Sequence, residues 1–366
     1  RRRLVSVDGT IHFVFVNIFF TILLTFLVTP LFAQETGALE RTYRDAYPAP
    51  KGTLVLEVQR GLVEVVNAEA GGEVVFEITQ RLQRSSRASG GVVQRLTRDL
   101  LPGGFDPERT FAQLKPEYRA TGDELRLRLA DSRLAVFDWD ASLQMAIEVK
   151  VTVPRGVAIR MRGVAAGVTF PQDHVGDLDV ESDSGAFSAR RVEGDVRVRV
   201  RAASIKIGDV SGRSELHSDM GLVLAGHLRG PAKVSTFNGS VEVMQAYDAL
   251  KIRGSDALVQ IGVSEPAPKS LDVKIATGEI MLNVDRGMGL SLDAATTWIG
   301  RVKMRGLEPE NLRGGINASS LRADLAGGGP VARLRTSGGN ISLVGRAPAE
   351  PFDMVPQESE PAGDAT

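Results

Sequence analysis

LDVES at residues 178–182, VRVRV at 196–200 and SELHS at 214–218 are three versions of one pattern, each 18 residues after the last. In each segment apolar or small residues alternate with charged or polar residues. Such alternation is typical of a β-strand that buries one face and exposes the other. The sequence therefore predicts a strand at the same place in successive 18-residue repeats.

A second alternating segment follows in each repeat, and Phe187, Ile205 and Val223 occupy equivalent positions in it. Each repeat is thus predicted to hold two short strands, which leaves no room for a helix. An 18-residue unit cannot bury its own apolar face, so the repeats must stack on one another. The same pattern begins at residues 54, 232 and 250, at 271 after an insertion of three within 265–269, and at 332.

A small residue separates the two strands of each repeat, as at Gly185, Gly221 and Gly239, with Ala203 and Ala257 as the departures. Glycine suits a tight corner because it lacks a Cβ. The predicted fold class is all-β: a parallel β-solenoid with two-strand rungs of about 18 residues. An N-terminal β section with a short helical insertion precedes it.

The outward positions give an independent reason for parallel stacking. Glu181, Arg199 and His217 follow one another at intervals of 18 residues, and the outward columns on either side likewise alternate acid with base. Parallel strands about 4.8 Å apart place these charges side by side. An antiparallel meander would not align them at a constant step.

The first 33 residues predict export. Three arginines precede an uncharged, mostly apolar run at 11–33, which ends in Ala33. This pattern is typical of a signal peptide cleaved after Ala33, and the run is also long enough for a retained membrane anchor. Both alternatives place the rest of the chain outside the cytoplasm, in the periplasm, on the cell surface or in the medium.

The remaining boundaries follow from composition. Residues 34–50 are predicted to be a linker, and 51–155 an N-terminal β section with an insertion at 84–124, where Ser89–Leu101 has helical periodicity. Repeats fill 156–346, although the pattern weakens around 284–330. The acidic, proline-rich segment 347–366, with Arg346 at its start, is expected to be a disordered tail.

Composition narrows the chemistry. With 44 Lys and Arg against 45 Asp and Glu, the chain lacks the basic excess of a dedicated nucleic-acid binder. The absence of cysteine excludes disulfides, thiolate metal sites and cysteine nucleophiles. No phosphate-binding loop, dinucleotide fingerprint or Ser-His-Asp context is recognisable in the sequence.

One carboxylate pair merits an enzymatic alternative. Asp183 and Asp219 would lie two rungs apart, roughly 9.6 Å from the strand spacing, near the separation of an inverting glycosidase pair. Arg201 should lie between them and keep both ionised, which opposes a general acid. We therefore predict no catalytic residues.

No metal or cofactor site is predicted either. His217 and His227 are ten residues apart, which is not a multiple of the repeat, so they should not stack as a metal pair. The arginines of 197–201 are suited to anionic glycans but are expected to be neutralised by the acidic rows. Phe237, Tyr247 and Trp298 are the aromatic residues of the repeats best suited to contact a sugar.

The segments VGDLDVESDSG at 175–185, Val153-Pro154 and GGP at 328–330 leading to LRTSGGNI at 334–341 resemble a known bacterial family. This is the envelope β-solenoid family labelled "putative adhesin", a domain of unknown function, and the resemblance covers roughly 51–345. It implies a non-enzymatic envelope protein that binds an envelope or extracellular protein or glycan. The alternatives are an envelope-stress sensor that binds a partner protein and a polysaccharide-active enzyme. We expect no nucleic-acid partner, and membrane contact only if 11–33 is retained.

Overall fold

A computed structural model describes residues 39–68, 72–84, 111, 114–129 and 143–347. The elements of these ranges are β-strands, so the all-β prediction is confirmed for the described part of the chain. The predicted helix at 89–101, the segment 1–38 and the tail 348–366 lie outside the described residues. No helix within the described ranges has the length and hydropathy needed to cross a membrane.

The strands of the N-terminal half are β1 (Leu39–Pro48), β2 (Thr53–Asn67), β3 (Glu73–Arg84), β4 (Glu117–Thr121), β5 (Glu124–Leu129), β6 (Leu143–Val153), β7 (Ala158–Val175), β8 (Leu178–Ser182), β9 (Phe187–Glu193), β10 (Val196–Val200) and β11 (Ile205–Val210). Those of the C-terminal half are β12 (Ser214–Leu228), β13 (Ala232–Ala246), β14 (Ala249–Val263), β15 (Ser270–Asp285), β16 (Leu290–Ile299), β17 (Val302–Arg305), β18 (Pro309–Gly314), β19 (Ser320–Leu325), β20 (Val331–Gly338) and β21 (Ile341–Arg346).

Consecutive repeats pair in parallel at the predicted 18-residue step. Val196 lies opposite Leu178 on one side and Ser214 on the other. Ile205 lies between Phe187 and Val223, and all three side chains are fully buried. The predicted register and inward face are therefore confirmed over β8–β14.

The predicted three-residue insertion is also present. Leu250 lies opposite Leu271, so the step grows from 18 to 21 residues between β14 and β15. The buried Gln245 side chain secures the extra loop: its Nε2 donates to the carbonyls of Ser264 (3.0 Å) and Pro266 (3.2 Å), and its Oε1 accepts from the Ser264 N–H (2.9 Å).

The last repeat lies in a place that the chain order did not indicate. Strands β20 and β21 pair in parallel with β15 on one side and with β16 and β17 on the other. Leu334 and Ile341 carry the full inward pattern and are completely buried, as suits a rung covered on both sides. Strands β19 and β18 then continue from β16 in antiparallel pairing.

The N-terminal end shows a similar reversal of order. Strand β2 pairs in parallel with β7 on one side and with β5 and β6 on the other. Strand β3 pairs antiparallel with β6, and β1 with β3. Residues 39–48 are thus a strand, whereas composition predicted a linker. Alternation explains the difference, because Tyr47 points inward and packs against Phe76 and Tyr118 at ring distances of 6.1 and 4.8 Å.

Together the parallel pairings order eleven rungs, and ten steps of about 4.8 Å give a stack of about 48 Å. Their inward side chains form one apolar cluster made chiefly of Val, Leu and Ile. At two corners, Gly61 and Gly278 have φ angles of 121° and 109°, which residues with a Cβ rarely adopt. A Cβ at Gly278 would also collide with the Ala257 carbonyl of the preceding rung.

Candidate binding face

The outward face of β8, β10 and β12 carries a compensated set of charges. Arg197 and Arg199 each lie 3.6 Å from Glu215, and Arg201 lies 3.4 Å from Asp183. Partial burial acts to raise the pKa of Glu215, but its cationic neighbours outweigh this effect and lower that pKa. The prediction that the arginine row of 197–201 is neutralised is therefore confirmed.

The contacts of Arg199 follow a diagonal rather than the column. Arg199 lies opposite Glu181 in the register, yet its ion pair is with Glu215. Glu181 is instead 3.2 Å from Arg162. Long side chains reach diagonal neighbours on adjacent strands, so the charges of this surface compensate one another as a network.

The two carboxylates of the enzymatic alternative have different partners. Asp183 lies beside Arg201, and Asp219 accepts a hydrogen bond at His217 Nε2 (2.8 Å). A carboxylate next to a guanidinium stays ionised, which is unsuited to protonating a leaving group.

The structure brings together a Ser-His-Asp set that sequence reasoning missed. His217 Nε2 lies 2.8 Å from Asp219 Oδ1, while His217 Nδ1 lies 2.8 Å from Ser235 Oγ. Because Ser235 lies opposite His217 at the 18-residue step, the register itself was the available signal. Acyl transfer also needs donors for an oxyanion. Strand β13 has parallel neighbours on both sides, so its amides serve the sheet ladder.

The other described histidines have separate environments. His227 Nδ1 lies 2.7 Å from Asp209 Oδ1 on the surface of the second strand. His174 is buried against Phe170, and burial lowers its pKa to about 4. Among the residues that the structure describes, no three potential His, Cys, Asp or Glu ligands gather at one point.

The outward surface changes character at β14. Here the outward positions carry Lys251 and Arg253, followed by Lys274 on β15 and by Arg333 and Arg335 on β20. Arg253 lies opposite Lys274, and Lys274 lies opposite Arg335. We call the outward surface of β14, β15 and β20 the basic face.

The carboxylates at the basic face are too few to neutralise it. Its five cations accompany one carboxylate, Asp272, which gives a surplus of four positive charges. The hydrogen bond from Arg253 lowers the pKa of Asp272. On the next rung, Asp293 pairs with Arg333 (3.7 Å) and with Arg335 (2.5 Å). Within the described ranges, Lys251 and Lys274 form no ion pair, and both are exposed.

Two exposed aromatic residues flank the basic face at one corner of the stack. Phe237 on β13 is 64% exposed, and Trp298 on β16 is 86% exposed. The rungs between them carry only small residues at this corner: Ser255, Ala276 and Ser337. Four rung steps separate the two aromatic residues, which is about 19 Å. Tyr247, the third predicted sugar-contacting residue, is half-buried and lies under the Arg229 guanidinium at 5.3 Å.

A β-bulge directs Trp298 outward. Thr296 lies opposite Thr336, but Ile299 lies opposite Gly338, so β16 holds one residue more than β20 over this interval. Bulges commonly redirect a side chain at functional sites. The neighbouring Ile299 is 82% exposed, which makes an apolar projection beside the basic face.

No protein-family model matches the chain, and no curated protein sequence matches it significantly. Among solved structures, a "putative adhesin" from Bacteroides fragilis aligns over 83% of this chain and 97% of its own, with 12% identity and a TM-score of 0.41. A "putative cell adhesion protein" from Clostridium sporogenes aligns over 84% of this chain and 100% of its own, with 10% identity and a TM-score of 0.23. At these low values the architecture of this chain rests on its own strand pairing.

Proposed function

We propose that this chain is an exported, non-enzymatic binding protein of the bacterial envelope or cell surface, with an adhesin-like or scaffold role. Its stacked rungs are proposed to form a parallel β-solenoid that presents an elongated face to an envelope or extracellular protein or glycan. The parallel register of β2, β7–β15, β20 and β21 supports this architecture.

The observation that carries the binding role is the basic face. Like charges directly opposite each other on adjacent strands destabilise a sheet. Upstream, the same surface compensates its charges, as the pairs of Glu215 show. Lys274 between Arg253 and Arg335 breaks that rule, and such local conflicts are characteristic of functional surfaces. An external partner would supply the missing complement.

The absence of catalysis is part of the proposal and rests on the carboxylate pair and the Ser-His-Asp set. The Asp183 and Asp219 carboxylates lie beside a cation and a histidine, respectively. Ser235 projects from an open sheet surface whose amides serve the ladder. Neither arrangement supplies the protonated acid or the oxyanion donors that hydrolysis needs.

The test measures adhesion of the purified full chain to envelope fragments and to intact cells, beside two charge-reversed variants. Lys274→Glu alters the basic face, whereas Lys303→Glu makes the same change at an exposed position on β17, in the second strand of its rung. Wild type and Lys303→Glu should adhere, and Lys274→Glu should not. Equal adhesion by all three proteins would refute a role for this face.

Export has its own measurement. Secreted or periplasmic protein with an intact mass that begins at or near Gln34 would support cleavage, and membrane-bound protein that keeps 11–33 would support the anchor. Full-length protein found only in the cytoplasm would refute the proposed location.

A further inference from the structure

We infer that the basic face binds an extended anionic polysaccharide, which lies across the rungs between Phe237 and Trp298. This inference deepens the proposed binding function and rests on it. It names the class of ligand and the two ends of the site.

The charge pattern requires a ligand with several negative charges in a row. Arg253, Lys274 and Arg335 follow one another across three rungs, so their backbones repeat at about 4.8 Å. A single small anion would neutralise only part of this column. A polymer with an acidic group on many of its units can follow the column along the stack.

The aromatic residues add the contact that a sugar ring requires. The indole of Trp298 stands almost fully in solvent because the bulge of β16 directs it away from the interior. An exposed aromatic ring presents an apolar face with a polar edge, which suits the C–H surface of a pyranose. Phe237 presents a second such ring at the other end, so a chain of several sugars can touch both.

The corner between these rings favours a sugar over a nucleic acid. Asn238, Asp256 and Thr277 are exposed there on successive rungs, and Thr277 Oγ1 lies 3.3 Å from Asp256 Oδ1. Amide, hydroxyl and carboxylate groups hydrogen-bond to sugar hydroxyls. Asp256 would repel a phosphate, and single-stranded nucleic acids usually meet aromatic side chains at successive bases. Here the rungs between the two rings carry none.

The test titrates the full chain with alginate, a carboxylated polysaccharide, and with heparin, a sulfated one. Neutral dextran and single-stranded oligo(dT) of similar length are the comparison polymers. We expect alginate, heparin or both to bind, dextran not to bind and oligo(dT) to bind more weakly. The affinity should fall as salt rises, because binding releases counterions.

Three variants separate the two parts of the site. Lys274→Glu should weaken binding by about tenfold or more and reduce its salt dependence. Trp298→Ala should weaken binding several-fold and leave the salt dependence unchanged, since it removes no charge. Lys303→Glu, the matched control, should bind as the wild type does.

The outcomes distinguish this inference from the function on which it rests. If neither acidic polysaccharide binds, while adhesion to cells still depends on Lys274, the inference is overturned and the binding function stands. Equal binding of dextran, tighter binding of oligo(dT), or unchanged binding by both Lys274→Glu and Trp298→Ala would also overturn it. If adhesion to cells does not depend on Lys274, the proposed function itself fails.

Discussion

Arg253 and Lys274 lie directly opposite each other on neighbouring parallel strands, with Arg335 beyond Lys274 on the next rung. Arg253 and Arg335 reach carboxylates to one side, Asp272 and Asp293, but Lys274 forms no ion pair within the described ranges. The stack therefore holds a strip of like charge that its own residues leave unneutralised. The proposed binding function depends on that strip.

The interior register is tested by a charge at Ile205. Ile205→Asp should lose about 1.5–3 kcal/mol of apolar burial and leave a buried, unpaired carboxylate as well. We expect loss of cooperative thermal unfolding and rapid proteolysis. The control is Lys206→Asp, one residue on, where the side chain points outward. Unchanged melting of Ile205→Asp would show that the inward face is wrongly assigned.

Arg346 provides a test of the C-terminal boundary. Composition placed it at the start of the tail, but it is the last residue of β21 and pairs with the mostly buried carboxylate of Asp285. Arg346→Ala should lower the free energy of unfolding by about 1–3 kcal/mol, because a nearly buried charge loses its partner. Urea denaturation measures this, with Lys303→Ala as the control. A loss no larger than that of the control would contradict the placement of β21.

His174 should make stability fall in mild acid. Burial lowers its pKa to about 4, although Asp177 acts in the opposite direction, whereas an unfolded histidine titrates near 6.5. Below about pH 6.5 the unfolded state therefore binds a proton that the folded state excludes, and the loss grows until about pH 4. Between pH 7 and pH 5 we expect a loss of about 2 kcal/mol.

His174→Leu isolates this contribution, because the variant keeps an apolar contact with Phe170 but cannot titrate. Urea denaturation at both pH values should show that the variant lacks about 2 kcal/mol of the wild-type decline. An equal decline in the two proteins would place the titration elsewhere.

Ser235 tests the absence of catalysis. The Ser235–His217–Asp219 set predicts no acyl transfer, since the structure gives it no oxyanion donors from the ladder. Wild type and Ser235→Ala should hydrolyse an activated ester at the same background rate, and a fluorophosphonate probe should not label Ser235. A rate that falls in Ser235→Ala, together with labelling, would make the protein a hydrolase.

The 18-residue pattern predicted the local fold well because burial and register have the same cause. A parallel stack keeps each inward residue above its equivalent, so Phe187, Ile205 and Val223 were identifiable from spacing alone. The order of the rungs was not, because β20 and β21 lie before β16 in the stack although they follow it in the chain. Local alternation contains no information about which long connection crosses another strand.

The candidate site was only partly predictable for the same reason. Phe237 and Trp298 were recognised as suitable aromatic residues, but the arginines of 197–201 seemed the natural basic surface. Arg253 and Lys274 were within reach of the repeat once the insertion was counted, at a step of 21. Arg335 joins them only through the intercalated β20, and the outward direction of Trp298 depends on a bulge.

The most direct measurement compares stability and polysaccharide binding in the same preparation of Lys274→Glu. A carboxylate at this position would lie between Arg253 and Arg335, and each new pair should add about 0.2–1 kcal/mol, more at low salt. We predict that the variant unfolds at a higher urea concentration than the wild type and yet loses at least about tenfold in affinity for the acidic polysaccharide. A variant that is less stable, or that binds as tightly as the wild type, would contradict the proposed role of the basic face.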